Sequence, residues 1–325
     1  MTDSSAKLFG LVMVGVLGTA LAAGTARALD WPTRPVSVIV PIAAGGNTDV
    51  MARVGAEELA AKFGKPFVVE NRSSAGGAIG VAQVAHANPD GHTLLFAAAT
   101  MTYLTPLLQK VDFDPDKDLT PITNIGTGAQ VLGIRKSLPV KNLAELVAYA
   151  KANPGKLNCV VVTQTLSHLV PALLFARAGM DVVFIPSKGG PQSVSDLLSG
   201  QVDMYFGTAS EMLSQRDSDK IRLIAVATEK RLDAAPDIPA VAETYPGFSF
   251  SSFNGFFAPA GTPDDIVNAL RSALIDIAKS PAVSKRMEGL GIVPGGMSKD
   301  EMLVTLKNDR DHFAQASKAA GLKPR

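Results

Sequence analysis

The chain has 325 residues, which exceeds one average domain and is comfortable for two. Hydrophobic residues make up 46% of the sequence and charged residues 19%, which supports packed cores and excludes a disordered chain. The 31 Lys and Arg residues and 30 Asp and Glu residues leave a net charge of +1. This balance gives no excess of positive charge that would attract nucleic acid or an anionic membrane surface.

The first 28 residues have the pattern of a secretory signal peptide. Lys7 supplies a positive charge, residues 8–23 carry no charge, and Ala26-Arg27-Ala28 fits a small-x-small cleavage site. The apolar run is short for a membrane-spanning helix, and no Cys follows it that could carry a lipid anchor. An uncleaved N-terminal anchor is the alternative interpretation. We expect a periplasmic mature chain that begins near Leu29.

After this segment the sequence alternates between short apolar runs and segments of helical periodicity, which predicts doubly wound parallel sheets in an α/β fold. The predicted strands are 36–41, 67–70, 93–98, 157–162, 182–185, 204–206, 223–227 and 248–258. The predicted helices are 48–63, 78–87, 143–151, 167–178 and 192–199, and then three that begin near Pro263, Pro281 and Ser298. Capping residues are expected at three helix starts: Asn47 or Thr48, Asn142 with Glu145, and Ser298 with Glu301.

The alternation stops and then restarts, which predicts two α/β domains with the second inserted into the first. Residues 1–28 form the signal peptide, residues 29–126 and 247–325 form domain 1, and residues 127–246 form domain 2. The chain crosses between domains near 125–127 and near 245–248 without a low-complexity linker. Two such crossings are typical of a hinge rather than of a free tether.

Two glycine-rich turns each follow a predicted strand and precede a predicted helix. Gly45 and Gly46 lie in the first turn, and Gly76 and Gly77 lie in the second. Glycine lets the backbone approach a ligand, and a helix N-terminus adds a partial positive charge. Taken singly, each turn is more simply explained as a tight turn. Because ligands of open α/β sheets bind at the carboxyl ends of the strands, the two turns together favour an anion site.

The sequence lacks the motifs of common catalytic, nucleotide and metal sites. There is no P-loop, no Rossmann fingerprint and no G-x-S-x-G elbow. His86, His92, His168 and His312 are scattered without metal-ligand spacing, so we expect no cofactor and no metal. Cys159 is the only cysteine and precedes a run of Val, which predicts a buried strand position rather than a reactive thiol.

Three polar features outside the glycine turns are candidate ligand contacts, each with an equally open structural explanation. Ser167 and His168 stand at a predicted helix start, where His168 either contacts a ligand or caps and packs. Lys188 either attracts an anion or is a solvated loop residue. Asp203 either orients a polar ligand group or holds a turn.

A series of short motifs runs in order through essentially the whole mature chain. The motifs are Trp31-Pro32-Thr33-Arg34-Pro35, Val40-Pro41, Ala44-Gly45-Gly46 with Asp49 and Ala52-Arg53, Val68-Val69-Glu70-Asn71-Arg72, Ala75-Gly76-Gly77 with Ile79-Gly80, Pro89-Asp90-Gly91-His92-Thr93-Leu94-Leu95, Pro154-Gly155-Lys156-Leu157, Gly200-Gln201-Val202-Asp203, and Ala258-Pro259-Ala260-Gly261-Thr262-Pro263. With these motifs the chain resembles the receptors of tripartite tricarboxylate transporters, which are also called Bug-type periplasmic binding proteins.

The resemblance implies a clamshell of two α/β domains, similar to type II periplasmic binding proteins, with the ligand between the domains. Family members bind small carboxylic acids, including di- and tricarboxylates, acidic amino acids and aromatic acids. In them the domain 1 loops contact the carboxylate largely through backbone groups and water. The resemblance also implies membrane permease subunits as partners, although many relatives lack a dedicated permease. We expect a monomer that is not an enzyme.

The expected site combines the glycine turns with polar residues of both domains. Domain 1 supplies Ala44, Gly45, Gly46, Asn47, Asp49, Ser74, Ala75, Gly76 and Thr100, and domain 2 supplies Thr163, Thr165, Ser167, His168, Lys188 and Asp203. Two other functions stay open at this point. One is a sensory receptor of the same fold, and the other is a secreted hydrolase that depends on Ser167 and His168.

The chain departs from the family pattern at four places, three of which lie in domain 2. Relatives carry a Gly- and Ser-rich loop before a His-Leu pair, whereas residues 161–169 contain no glycine. Ser187 stands where Tyr is usual, and Thr105-Pro106 stands where Asn-Pro is common. Gly207 occupies a position that is often acidic. These departures predict either an unusual ligand or a loss of affinity for the common dicarboxylates.

Overall fold

The computed structural model describes residues 30–322. The predicted signal peptide of residues 1–28 and its cleavage near Leu29 lie outside the described residues. Within the described range, no helix has the length and apolar character needed to span a bilayer.

The described part of the chain forms an α/β fold with ten strands and eleven α-helices. The strands are β1 (Val36–Val40), β2 (Phe67–Asn71), β3 (Thr93–Ala98), β4 (Leu119–Arg135), β5 (Leu157–Val162), β6 (Val182–Ser187), β7 (Met204–Thr208), β8 (Ile221–Val226), β9 (Ser251–Pro259) and β10 (Ile292–Pro294). The helices are α1 (Asn47–Phe63), α2 (Ala78–Ala85), α3 (Thr105–Leu108), α4 (Pro115–Asp118), α5 (Leu143–Ala152), α6 (Leu166–Ala178), α7 (Gly190–Ser199), α8 (Ala209–Leu213), α9 (Asp264–Lys279), α10 (Pro281–Glu288) and α11 (Lys299–Ala319).

The strands lie in the order β2-β1-β3-β9-β4-β7-β5-β6, and β8 and β10 also pair with β4. β1 is parallel to β2 and β3, and β5 is parallel to β6 and β7. β9 is antiparallel to both β3 and β4, and β7 is antiparallel to β4. The predicted parallel pairing therefore applies to the two outer groups of strands, and antiparallel strands join them.

The long strand β4 connects the two parallel groups. Its first part, from Leu119 to Ala129, pairs with β9, and its last part, from Gln130 to Arg135, pairs with β7 and β8. The predicted first crossing near residues 125–127 falls inside this strand, and the predicted return near 245–248 precedes β9. The assignment of residues 127–246 to an inserted domain stays a prediction.

Helix α1 packs closely on the sheet because it carries a glycine at its contact point. A Cβ atom added to Gly55 would lie only 2.8 Å from Cε2 of Phe256 on β9. Met51, Val54 and Leu59 of the same helix are buried against the sheet. This close packing fixes the N-terminus of α1 beside the carboxyl end of β1, where Gly45 and Gly46 lie.

Two of the three predicted capping arrangements are confirmed, and the first is wrong. Asn142 caps α5 through its bond from the Glu145 backbone N–H, and the capping box at the start of α11 is complete. Helix α1, by contrast, has Gly46 at its N-cap and no capping bond from a side chain. Asn47 and Thr48 are already helical, so their side chains face other parts of the protein.

A partly buried carboxyl on α11, that of Asp309, should make stability depend on pH. Burial raises the pKa of Asp309 from 3.8 to about 7. Ionisation of this group therefore opposes folding, with a cost that is absent below about pH 4 and complete above about pH 7. A pKa rise of this size corresponds to about 4 kcal/mol, and the partial exposure of Asp309 reduces the expected cost to about 1–2 kcal/mol.

We expect Asp309→Asn to raise the free energy of unfolding at pH 8 and to leave it nearly unchanged at pH 4. Urea denaturation at both pH values measures the effect. Asp311→Asn is the matched control, because Asp311 lies on the same helix and is exposed. Equal effects of the two substitutions at pH 8 would contradict the prediction.

Candidate functional site

A polar cleft lies where several helices begin at the edge of the sheet. About 690 Å³ of space lies between the atoms of this cleft, a volume that includes the part open to solvent. Five of the predicted site residues line it: Gly46, Asn47, Thr100, Thr165 and Ser167. The lining also includes polar side chains that sequence analysis missed: Gln130, Tyr205, Thr208, Glu211, Ser252 and Asn254.

Three helix N-termini contribute to the cleft. The lining includes Gly46 at the start of α1, Thr165 at the start of α6, and Gly190 at the start of α7. The first backbone N–H groups of a helix have no partner within it, and the helix dipole places partial positive charge there. Such ends bind carboxylates and phosphates without help from a basic side chain. Among the described residues of this lining, none is Lys, Arg or His.

The first glycine turn is held in place by a buried carboxylate. Asp49 Oδ2 accepts a hydrogen bond from Gly45 N–H at 2.9 Å. The same carboxylate also accepts hydrogen bonds from the guanidinium group of Arg53 and from Asn71 Nδ2. Burial opposes the ionisation of Asp49, but these hydrogen bonds outweigh it and hold the pKa of Asp49 below its usual value. Ala44 and Gly45 are exposed, and neither they nor Asp49 belong to the described lining.

The second glycine turn packs against protein instead of lining the cleft. Ser74 Oγ accepts a bond from Ile79 N–H at 3.2 Å, and the Gly76 carbonyl accepts one from Thr105 Oγ1 at 2.8 Å. Gly76 has a φ of 61°, and a Cβ atom there would lie 2.6 Å from Gln164 Oε1. Ser74 and Gly76 are therefore not among the described lining residues, and the side chain of Ala75, also predicted at the site, lies outside the described residues.

The hydroxyl groups at the start of α6 form a compact network. Thr165 Oγ1 accepts a bond from Ser167 N–H, donates one to the Val162 carbonyl, and lies 2.8 Å from Ser167 Oγ. Ser167 Oγ also accepts a bond from Val162 N–H at 3.3 Å. Both hydroxyls line the cleft, whereas the half-buried Thr163 does not belong to the described lining.

The other predicted contacts lie outside the described lining. The ring of His168 packs edge-on against Phe184, with 5.6 Å between centroids, and Lys188 is exposed. Asp203 is buried, accepts a bond from Asn158 N–H, and forms an ion pair with Arg135 at 2.6 Å. This ion pair and hydrogen bond fit the structural explanation for Asp203, which ties the start of β7 to β5. The roles of His168, Lys188 and Asp203 as ligand contacts stay predictions.

Gln164 gives the altered loop an unusual conformation. Its φ is 63°, in the left-handed region that favours glycine. The side chain is buried, and its Nε2 group donates to Gln109 Oε1 at 3.0 Å. The sequence shows that this loop lacks the glycine of related loops, but no sequence pattern marks Gln164 as the residue that adopts the glycine conformation.

Glu211 is an acidic side chain of the cleft. Its Oε2 atom accepts bonds from Thr208 N–H at 3.0 Å and from the Tyr205 hydroxyl at 3.4 Å. Burial raises the pKa of Glu211, although the bonds from Thr208 and Tyr205 oppose the rise. Burial and the nearby Glu211 charge raise the pKa of Tyr205 well above its usual value. No group of three or more His, Cys, Asp or Glu residues within the described range could hold a metal ion.

This α/β architecture, with a polar cleft at helix N-termini, is that of a periplasmic solute-binding protein. The chain belongs to the family described as tripartite tricarboxylate transporter family receptor, whose model matches residues 51–317. BugT of Bordetella pertussis is 31% identical over 318 residues, which cover 96% of this chain and 98% of BugT.

Two solved structures with bound acids are also similar to this chain. R. palustris Rpa4515 with adipate has 31% sequence identity and a TM-score of 0.88, covering 91% of this chain and 100% of that one. MatC (Rpa3494) from Rhodopseudomonas palustris with bound malate has 29% identity and a TM-score of 0.82, covering 88% and 99%. The family and the fold expected from the sequence are therefore confirmed.

Proposed function

We propose that the protein captures a small organic carboxylate in this cleft. The observation that carries the proposal is the convergence of the N-termini of α1, α6 and α7 on a polar lining. Carboxylate ligands bind well to the N–H groups at a helix start, because these groups are already oriented and need little reorganisation when the ligand binds. Adipate and malate in the two similar structures support an organic acid as the ligand class.

The polar side chains of the lining would orient the acid once its carboxylate is bound. The hydroxyls of Thr165 and Ser167 approach from the start of α6, and Asn47 and Thr100 approach from the other side of the cleft. Backbone N–H groups after Gly46 would face the carboxylate oxygens. These groups are neutral, so binding relies on hydrogen bonds and helix dipoles rather than on an ion pair.

We infer that the cleft closes by movement of residues 127–246, acting as an inserted domain, over the rest of the chain. Two side-chain contacts support this closure. Ser210 Oγ donates to Asn47 Oδ1 at 3.2 Å, and Gln164 Nε2 donates to Gln109 Oε1 at 3.0 Å. Each joins the predicted inserted segment to the predicted domain 1. Ligand contacts from both sides would add to these bonds and shift the population towards the closed form.

A delivery step to membrane permease subunits follows from membership of this receptor family. We propose that the monomeric receptor, exported to the periplasm, presents its closed, loaded form to such subunits. Co-purification of the tagged receptor with detergent-solubilised membranes, with and without ligand, tests this step. Ligand-dependent recovery of permease subunits supports transport, whereas recovery of a kinase or chemoreceptor would replace transport with sensing.

Organic acids should stabilise the folded protein. Binding to the native state adds about 2.7 kcal/mol at a ligand concentration one hundred times the dissociation constant. We therefore expect at least one small mono- or dicarboxylate to raise the melting temperature by several degrees in a thermal-shift screen. The corresponding neutral amides at equal concentration are the control, because they lack the anionic group. A flat response to every acid would overturn the proposed function.

A further inference from the structure

The carboxylate of Glu211 lies inside the cleft, between two backbone segments that belong to helix starts. A Cβ atom added to Gly190 would overlap Glu211 Oε1 at 1.8 Å, and one added to Gly46 would lie 3.8 Å from the same oxygen. The starts of α1 and α7 therefore approach each other around this side chain. A ligand held between these helix starts would meet Glu211.

Residues close to Glu211 in the chain donate hydrogen bonds to only one of its two carboxylate oxygens. Oε2 accepts the bonds from Thr208 N–H and the Tyr205 hydroxyl, which completes the capping box of α8. Oε1 is the atom that faces Gly190 and Gly46. The side chain is thus anchored by one oxygen and directs the other towards the helix starts that form the cleft.

The surroundings of Glu211 give it no cationic partner within the cleft. Among the described lining residues, Tyr205 is the only other ionisable group, and burial raises its pKa well above the usual value. Helix N-termini can hold a ligand carboxylate, but the described lining has no Lys, Arg or His that could compensate a second carboxylate beside Glu211. Like charges close together in a partly desolvated site repel each other, whereas an ammonium or hydroxyl donor would bond to the acceptor oxygen.

We propose that Glu211 determines the ligand class of the cleft, which takes a monocarboxylate with a hydrogen-bond-donating group, such as an ammonium, at its other end, and disfavours a dicarboxylate. The helix starts bind the ligand carboxylate, and Glu211 Oε1 accepts the bond from the donor. The inference rests on the proposed function and narrows it. It separates this chain from the similar structures with bound adipate and malate.

The test compares acids of equal length that differ only at one end. The pairs are 4-aminobutanoate with succinate, 5-aminopentanoate with glutarate, and 6-aminohexanoate with adipate. Isothermal titration of the purified mature protein at pH 7.5 should show that the amino acid of the best-binding pair binds at least about tenfold more tightly than its dicarboxylate. A wild-type preference for the dicarboxylate overturns the inference.

Substitution then assigns the preference to the side chain. Glu211→Gln keeps the size and one carbonyl oxygen for the Thr208 bond, and it should move the ratio of the two affinities by at least about tenfold towards the dicarboxylate. Glu301→Gln is the matched control, because Glu301 occupies the same capping-box position at α11 outside the cleft. It should leave the ratio unchanged.

The outcomes separate this inference from the proposed function. A Glu211→Gln protein that folds but keeps the wild-type ratio shows that Glu211 only caps α8, and the inference fails while organic-acid binding stands. If that variant does not fold, the wild-type ratios alone decide the inference. If neither member of any pair binds the wild-type protein and the wider acid screen is also flat, the proposed function fails, and the inference fails with it.

Discussion

Gly46→Phe is expected to bind no organic acid measurably while it folds like the wild-type protein. Gly46 has extended backbone angles, with φ −79° and ψ 168°, so a larger residue meets no backbone penalty there. Its nearest neighbours around an added Cβ atom are Glu211 Oε1 at 3.8 Å and the Ala43 carbonyl at 3.9 Å. A benzyl ring would extend into the space where the ligand carboxylate meets α1. We expect a loss of affinity above about 100-fold by calorimetry.

Gly46→Ala provides the graded control for this substitution. A methyl group fits the ordinary contact distances around Gly46, so the alanine variant should keep its affinity within a few-fold of wild type. Superimposable circular dichroism spectra and similar urea midpoints would show that both variants fold. Retained affinity in Gly46→Phe would place the ligand elsewhere, and a complete loss in Gly46→Ala would point to the backbone rather than to the filled space.

The regular α/β segments could be predicted from the sequence because local patterns define them. The predicted bounds of β3 and β5 are those observed, and α1 begins one residue before its predicted start. Each of these elements is an apolar run or a helical repeat that is bounded by a turn or bend on at least one side. Their pairing into parallel groups also follows from the alternation of strands and helices.

The central strand β4 could not be predicted, because its signals are not local. Its middle contains buried polar residues that find partners far along the chain. Asn124 Oδ1 accepts bonds from Gly296 N–H and Met297 N–H, and Thr123 Oγ1 donates to the Met297 carbonyl. A sequence pattern shows these residues as polar and cannot show that the region around β10 satisfies them. Consequently the antiparallel junction of the sheet was missed.

The site could be predicted in part, and the glycine turns show why only in part. The first turn supplies Gly46 and Asn47 to the lining, as expected, whereas Gly76 of the second turn packs against Thr105 and Gln164. A glycine that leaves room for a ligand has the same sequence pattern as a glycine that leaves room for a neighbouring side chain. Only the positions of distant residues distinguish the two uses.

The position of Glu211 in the cleft could not be predicted from the local sequence either. In the sequence it occupies the third residue after Thr208, which marks a capping box, as Glu301 does after Ser298. Glu301 is exposed, and the Ser298 backbone bond lowers its pKa, whereas burial raises the pKa of Glu211. The difference comes from the starts of α1 and α7, which cover Glu211. Local sequence therefore predicts the cap and not the position in the cleft.

Asp49→Asn is expected to lower stability and ligand affinity together, although Asp49 does not line the cleft. The carboxylate is buried and accepts bonds from Gly45 N–H, from two nitrogens of Arg53, and from Asn71 Nδ2. An amide replaces one acceptor oxygen with a donor that faces these donors. We expect a loss of about 2–3 kcal/mol at pH 7 by urea denaturation.

The loss of affinity should follow from the released turn. Without the bond at 2.9 Å to Gly45 N–H, the backbone before Gly46 is no longer held against α1, and the N–H groups offered to the ligand lose their fixed direction. Calorimetry with the best acid should show a dissociation constant raised by about tenfold or more. Unchanged affinity would show that Asp49 supports the fold but not the binding turn.

The pH dependence of the Asp49→Asn effect distinguishes a buried acceptor from general destabilisation. The pKa of Asp49 lies below its ordinary value of 3.8, so its stabilisation is complete at neutral pH and is lost as the pH falls below about 4 through the folded-state value. The stability difference between wild type and variant should therefore shrink in that range.

Glu243→Gln is the matched control, because Glu243 pairs with Arg231 through two bonds of 2.7 and 2.8 Å at the surface. Exposed pairs contribute little, so this control should lose less stability and no affinity. Equal losses in the two variants would contradict the assignment of Asp49 as the residue that holds the turn.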